Sequence, residues 1–184
     1  MSALASTSQL RAAQWRWTLF LAPLILLLGF ISGQLAGSGA DNPWLATLEK
    51  PALYPPPIIF PIMWSVLYLL MGIALAAVVT ARGARGRAVA IGAFVVQLAL
   101  NLAWSPLFFG GHQIALALGL ILLLVLAVLI TILLFARVRG IAAWLMLPYL
   151  VWILFATYLT FELYTLNPDA DGREVLGAVS RIEL

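Results

Sequence analysis

The chain has 184 residues, 64% of them hydrophobic and 9% charged, with a mean hydropathy of +1.08. A soluble domain carries about 25% charged residues, so a water-soluble enzyme and a disordered chain are both excluded. Ten Lys and Arg against seven Asp and Glu give a net charge of +3, too sparse for a nucleic-acid partner, and the absence of Cys removes disulfides, thiolate metal sites and thiol nucleophiles.

No charged side chain occurs between Arg16 and Asp41, Lys50 and Arg82, Arg87 and Arg137, or Arg139 and Glu162. A crossing helix needs about 20 apolar residues, so these gaps predict an all-α integral membrane protein, a bundle of five transmembrane helices in contact with lipid. Residues 1–16 form an N-terminal tail, Ser/Ala/Thr-rich and disordered over Met1–Gln9. The first span covers 17–36. With Ser38-Gly39-Ala40 behind it, this segment imitates a cleaved signal peptide. Gly29, Gly33 and Gly37 lie at four-residue spacing and suit close helix packing. A discarded signal gains nothing from such a face, so the span is read as retained.

Five prolines from Pro43 to Pro57 predict a stiff connector without regular helix, with Trp44 and Tyr54 placed to cover the bundle mouth. The second span, 58–80, carries Trp64, Tyr68 and Met71 at i, i+4 and i+7. The long third gap holds two spans, 88–108 and 114–135, parted by a turn at 105–112 where Pro106, Gly110 and Gly111 cluster. Gln97, Asn101, Trp104 and Phe108 share one face of the third span. The fifth span, 141–161, carries Trp152, Phe155, Ala156 and Leu159 as a stripe, and Glu162 falls at its interfacial end. Residues 168–184 form a polar, solvated C-terminal tail.

With five spans, seven Lys and Arg lie on the side of the N-terminus and three on the other. Basic residues favour the cytoplasmic side, so the N-terminus faces the cytoplasm if the membrane is an inner membrane. Which membrane it is does not follow from the sequence.

Few groups are left for chemistry. The single histidine, His112, sits in a turn and reads as a solvated interfacial residue. Without a base beside a nucleophile or a His/carboxylate cluster, no catalytic residue, metal site or required cofactor is expected. Trp15, Trp17 and Trp144 read as interfacial belt residues. Gln97 and Asn101 are different, because amides within hydrocarbon face the bundle interior. Two readings stand: hydrogen bonding between helices, or a pocket in which a planar, mostly apolar ligand stacks on indoles.

Three blocks of sequence resemble the TspO/translocator-protein family, also called tryptophan-rich sensory proteins or peripheral benzodiazepine receptors. The first runs from Trp44 through Lys50-Pro51, Pro55-Pro56, Phe60-Pro61, Trp64, Leu67-Tyr68 and Met71-Gly72. The second is Gln97-Leu98-Ala99-Leu100-Asn101 followed by Trp104-Ser105-Pro106-Leu107-Phe108-Phe109-Gly110. The third is Pro148-Tyr149-Leu150, Trp152, Phe155-Ala156-Thr157 and Leu159, closing at Leu166-Asn167. The similarity covers residues 17–167, and the chain departs from the family pattern at Leu53, Ile58 and Thr160.

The resemblance implies a five-helix membrane domain over 17–167, commonly a homodimer, that binds porphyrins such as protoporphyrin IX or haem as a receptor or carrier with a sensory or regulatory role. On the matching positions, Trp64 and Trp152 flank the ring, Asn101 offers a polar contact and Ala156 leaves room. The wider ligand-binding set is Trp44, Trp64, Tyr68, Gln97, Asn101, Trp104, Trp152, Phe155 and Ala156. Alternatives are light- and oxygen-dependent porphyrin degradation and passive transport of tetrapyrroles or other hydrophobic ligands. No Lys or Arg follows Tyr158 or Tyr164 within five residues, so the short sterol-contact pattern is not met. For the dimer contact, the candidates are Gly29/Gly33/Gly37 and Gly92 with Ala99 and Ala103; the resemblance favours the second set.

Overall fold

The computed structural model describes residues 7–172. The Ser/Ala/Thr-rich stretch 1–6 and the tail from 173 onward, with Arg173, Glu174, Arg181 and Glu183, lie outside the described residues. The described chain forms α1 (Thr7–Leu35), α2 (Pro43–Thr47), α3 (Ile59–Val79), α4 (Arg87–Ser105), a π-helical turn (Pro106–Gly110), α5 (Ile114–Val138) and α6 (Gly140–Leu166). All but α2 and the π turn are long and apolar enough to cross a membrane. The fold is an all-α bundle of five spanning helices, as the charge-free gaps predict.

Apart from α3, which lies within its expected span, the spanning helices run past their apolar windows, because a helix continues for as long as its backbone bonds are satisfied. At the start of α1, Arg11 and Arg16 are exposed helical residues, whose long stems let the charge reach water. Glu162, by the same logic, sits within the last turns of α6. Pro23 in α1 and Pro148 in α6 lie on exposed faces, where a spanning helix tolerates them.

Side-chain packing gives the order α1–α3–α6–α5–α4 around the bundle, with α4 returning lightly to α1. That closure depends on Pro106. It has no N–H to give to the Leu102 carbonyl four residues back. The freed oxygen instead accepts the Ser32 hydroxyl of α1 at 2.6 Å. The helix then widens, and the Gly111 N–H reaches back five residues to Pro106 O at 2.8 Å. The chain turns only at His112, the non-glycine residue with positive φ (54°) among the described residues. The turn expected at 105–112 is therefore mostly helix, with reversal confined to its last two residues.

The proline connector also differs from expectation. Its first residues form the short helix α2, because Pro43 presets the first helical φ and Asn42 caps it, its side-chain oxygen accepting the Leu45 N–H at 2.8 Å. The described start of the C-terminal tail, through Gly172, is docked where a solvated tail was expected. Asn167 clasps the Glu49 backbone, accepting its N–H at 2.8 Å and donating to its carbonyl at 2.9 Å. Asp171 accepts the Ala115 N–H at 3.1 Å, supplying negative charge at the start of α5. The Gly172 N–H donates to His112 O at 2.8 Å. The loop, the π turn and residues 167–172 thus form one layer over the bundle, with Trp44, Leu45, Leu48, Phe108, Ile114 and Leu163 buried in it.

α1 and α3 approach closely at Gly72, where an added Cβ would fall onto the Ala22 backbone. Gly72→Ala must push the two helices apart, and the expected loss of stability is on the order of 1 kcal/mol. Thermal unfolding in detergent checks this; an unchanged midpoint would show that the contact yields without cost.

Candidate ligand-binding site

At the loop end of the bundle the five helices splay around a cavity of about 810 Å³, within the range of small-molecule sites. Trp64 and Tyr68 come from α3, Asn101 and Trp104 from α4, and Trp152, Ala156 and Thr160 from α6. Ile121 and Leu124 of α5 also line it, while Leu45, Lys50 and Tyr54 form the roof. Periodicity explains the shared facing. Residues 149, 152, 153, 156 and 160 repeat at three- and four-residue intervals, one stripe of a helix.

The indoles are held by their neighbours. Trp64 stacks on Tyr68 with ring centroids 5.2 Å apart and a 26° interplanar angle. Trp104 stacks on Phe108 at 4.7 Å and 10°, and Trp152 meets Phe60 edge-on at 6.0 Å. Between them runs a polar chain: the Tyr68 hydroxyl donates to Asn101 Oδ1 at 2.8 Å, and Asn101 Nδ2 donates to the Tyr149 hydroxyl at 3.0 Å. Gly29 of α1 makes room for this arrangement, since a Cβ there would lie inside the Tyr68 ring. The first-helix glycines therefore serve their own bundle: Gly29 under Tyr68, Gly33 beside Ser38.

The Trp104 and Trp152 indole N–H groups are buried and have no protein hydrogen-bond partner. Thr160 spends its hydroxyl on Ala156 O at 2.8 Å. Burial raises the Tyr54 phenol above its ordinary 10.0, so the roof presents it as a neutral group. The wall is open toward the membrane. Phe30 of α1 and Ile58 before α3 line the cavity yet are 62% and 63% exposed, which makes a lateral opening between these helices.

Of the nine residues read as ligand-binding, Trp64, Tyr68, Asn101, Trp104, Trp152 and Ala156 line this one cavity; Trp44, Gln97 and Phe155 do not. Trp44 is buried in the overlying layer, stacked on His112 at 4.6 Å and edge-on to Phe108 at 5.2 Å. His112 is thereby half-buried and engaged, where a solvated residue was expected. Gln97 lies one turn deeper than Asn101, fully buried, with neither amide atom hydrogen-bonded. Phe155 packs between Trp152 and Tyr158. The sequence reading passed over Tyr149, although its place three residues before Trp152 puts it on the inward stripe. It passed over Lys50 as well, whose signal is a lone cation in the roof loop. Among the described residues, no group of three His, Cys, Asp or Glu can hold a metal ion.

The TspO/MBR family pattern matches residues 20–165. A tryptophan-rich protein TspO of Chlorobaculum tepidum is 40% identical over 79% of this chain and 92% of its own length. A tryptophan-rich sensory protein of Cereibacter sphaeroides is 37% identical, covering 82% and 92%. The human translocator protein is 36% identical, covering 73% and 80%. Those matches span all five helices and every residue of the polar chain, and the chain accordingly belongs to the TspO/MBR family as a multi-pass integral membrane protein.

Proposed function

We propose that the protein is a membrane receptor or carrier that binds porphyrins in the loop-end cavity, in a sensory or regulatory role. The observation carrying this reading is the cavity of about 810 Å³ walled by three indoles, Trp64, Trp104 and Trp152. Flat, apolar, π-rich ligands gain from stacking and from burial together. Relatives bearing the names sensory protein and translocator protein support the receptor and carrier roles. The lateral opening beside Phe30 and Ile58 supports a ligand that exchanges with the bilayer rather than with water alone. The test is titration of the purified protein in lipid with protoporphyrin IX, haem and a sterol. Saturable binding of the tetrapyrroles, with the sterol weaker, supports the reading; only unsaturable partitioning overturns it.

The functional unit in this proposal is a homodimer built on the outer face of α4. Gly92, Ala99 and Ala103 are exposed there, and a Cβ added at Gly92 meets nothing within 4 Å. Small residues let two spanning helices approach closely. Because the chain has no Cys, single cysteines report cleanly. Cysteines at 92, 99 and 103 are expected to crosslink in bilayers, while those at Leu122 and Leu126 on α5 are not. A dimer that crosslinks only through α5 overturns this assignment.

A further inference from the structure

We propose that Lys50 binds the carboxylate of an amphipathic acid whose flat apolar body fills the cavity, so that the site selects acidic tetrapyrroles over neutral ones. This rests on the tetrapyrrole reading above. Among the described residues that line the cavity, Lys50 is the one charged side chain, and none is Asp or Glu. Its ammonium is fixed rather than free: it donates to Leu45 O at 3.0 Å and Leu48 O at 3.2 Å. These carbonyls lie at the end of α2, where Leu45 O also accepts the Leu48 N–H at 3.3 Å. An ammonium has three N–H donors, so one remains for a guest. Glu49 next door is exposed and held at its backbone by Asn167, and it forms no ion pair with Lys50 among the described residues.

The roof supplies the charge and the floor does not. From Ile58 at the roof to Tyr68 at the floor, α3 descends by about 15 Å. The floor groups, Asn101 and Tyr68, are neutral and already bonded to each other. A guest with an acidic edge and an apolar body therefore has one favourable orientation. Its carboxylate lies at Lys50, which is exposed at the mouth, and its ring lies among Trp64, Trp104 and Trp152. An ion pair at the mouth loses less hydration than one at the floor, which makes this the end at which a charge is tolerated.

The experiment measures Kd in lipid for protoporphyrin IX and its dimethyl ester, in the unmodified protein, Lys50→Met and Lys50→Arg. The readout is the ester-to-acid Kd ratio relative to that of Lys50→Met, which cancels differences in how the two compounds partition into lipid. Loss of a charged hydrogen bond is expected to leave the ester-to-acid ratio about tenfold lower in Lys50→Met than in the unmodified protein, with the ester's Kd unchanged. Lys50→Arg keeps most of the preference, and added salt narrows it in the unmodified protein. A ratio unaffected by Lys50→Met, or an equal loss for acid and ester, makes Lys50 a prop for the roof and overturns the assignment while leaving tetrapyrrole binding intact. Failure of both compounds to bind the unmodified protein overturns the tetrapyrrole reading, and the Lys50 assignment with it.

Discussion

Replacing Trp64 or Trp152 with Ala is expected to weaken porphyrin binding by about five- to a hundredfold, or about 1–3 kcal/mol. Each indole lines the cavity, and its removal leaves a gap that a rigid macrocycle cannot fill by moving. Trp64 has a second effect, because its ring stacks on Tyr68 and holds that side chain toward Asn101. Phe at either position is expected to recover part of the loss, since an aromatic face remains. Trp15 and Trp17 are the controls: both are exposed, at 66% and 38%, and neither lines the cavity. Their substitution leaves affinity nearly unchanged. Quenching of tryptophan fluorescence by protoporphyrin in lipid measures all four, with circular dichroism checking the fold. Equal losses at all four positions would mean that the ligand partitions onto the protein surface, and no loss at Trp64 and Trp152 would place the pocket elsewhere.

Asn101 is expected to matter more for stability than for affinity. Both of its amide atoms are engaged, one by Tyr68 and one by Tyr149. Asn101→Leu keeps the branched side-chain shape and strands two hydroxyls. Tyr68 borders the cavity and can turn to water or ligand. Tyr149 is fully buried and cannot. A buried polar group without a partner costs about 1–3 kcal/mol, and single interhelical bonds in membranes fall at the low end of that range. The expected loss for Asn101→Leu is about 1–3 kcal/mol, with porphyrin Kd shifting less than in Trp64→Ala. Adding Tyr149→Phe removes the stranded hydroxyl and is expected to recover much of the loss, a coupling that a double-mutant cycle measures. If Asn101→Leu and Tyr149→Phe add independently, the bond between them contributes nothing measurable. If Asn101→Leu weakens porphyrin as strongly as Trp64→Ala, Asn101 contacts the ligand directly.

Tyr149 carries a lesson about reading such chains. Its hydroxyl is invisible to a hydropathy count, and its block was quoted only for resemblance. Helical phase alone places it on the Trp152–Ala156 stripe, but phase does not say that Asn101 on another helix stands opposite. Trp44 is the reverse case. Its position in a proline loop suggested a lid over a ligand, yet its ring is spent on His112 and Phe108. Gln97 and Asn101 share residue chemistry and a helical face, and still differ: one is bonded on both sides, the other on neither.

The number of helices, their order and their inward stripes were legible in one dimension, because a bilayer demands long charge-free runs and an α-helix repeats every 3.6 residues. The resemblance carried over Trp64, Trp152, Asn101 and Ala156, and all four border one cavity. The cavity itself was not legible. It exists because Gly29 admits the Tyr68 ring, because Pro106 releases a carbonyl that ties α4 to α1, and because Asn167 and Asp171 hold the roof loop and residues 167–172 over the mouth. Each of these joins groups far apart in the chain, at distances set by how the helices pack. Composition and periodicity describe single helices, and the spaces between helices follow only once all of them are in place.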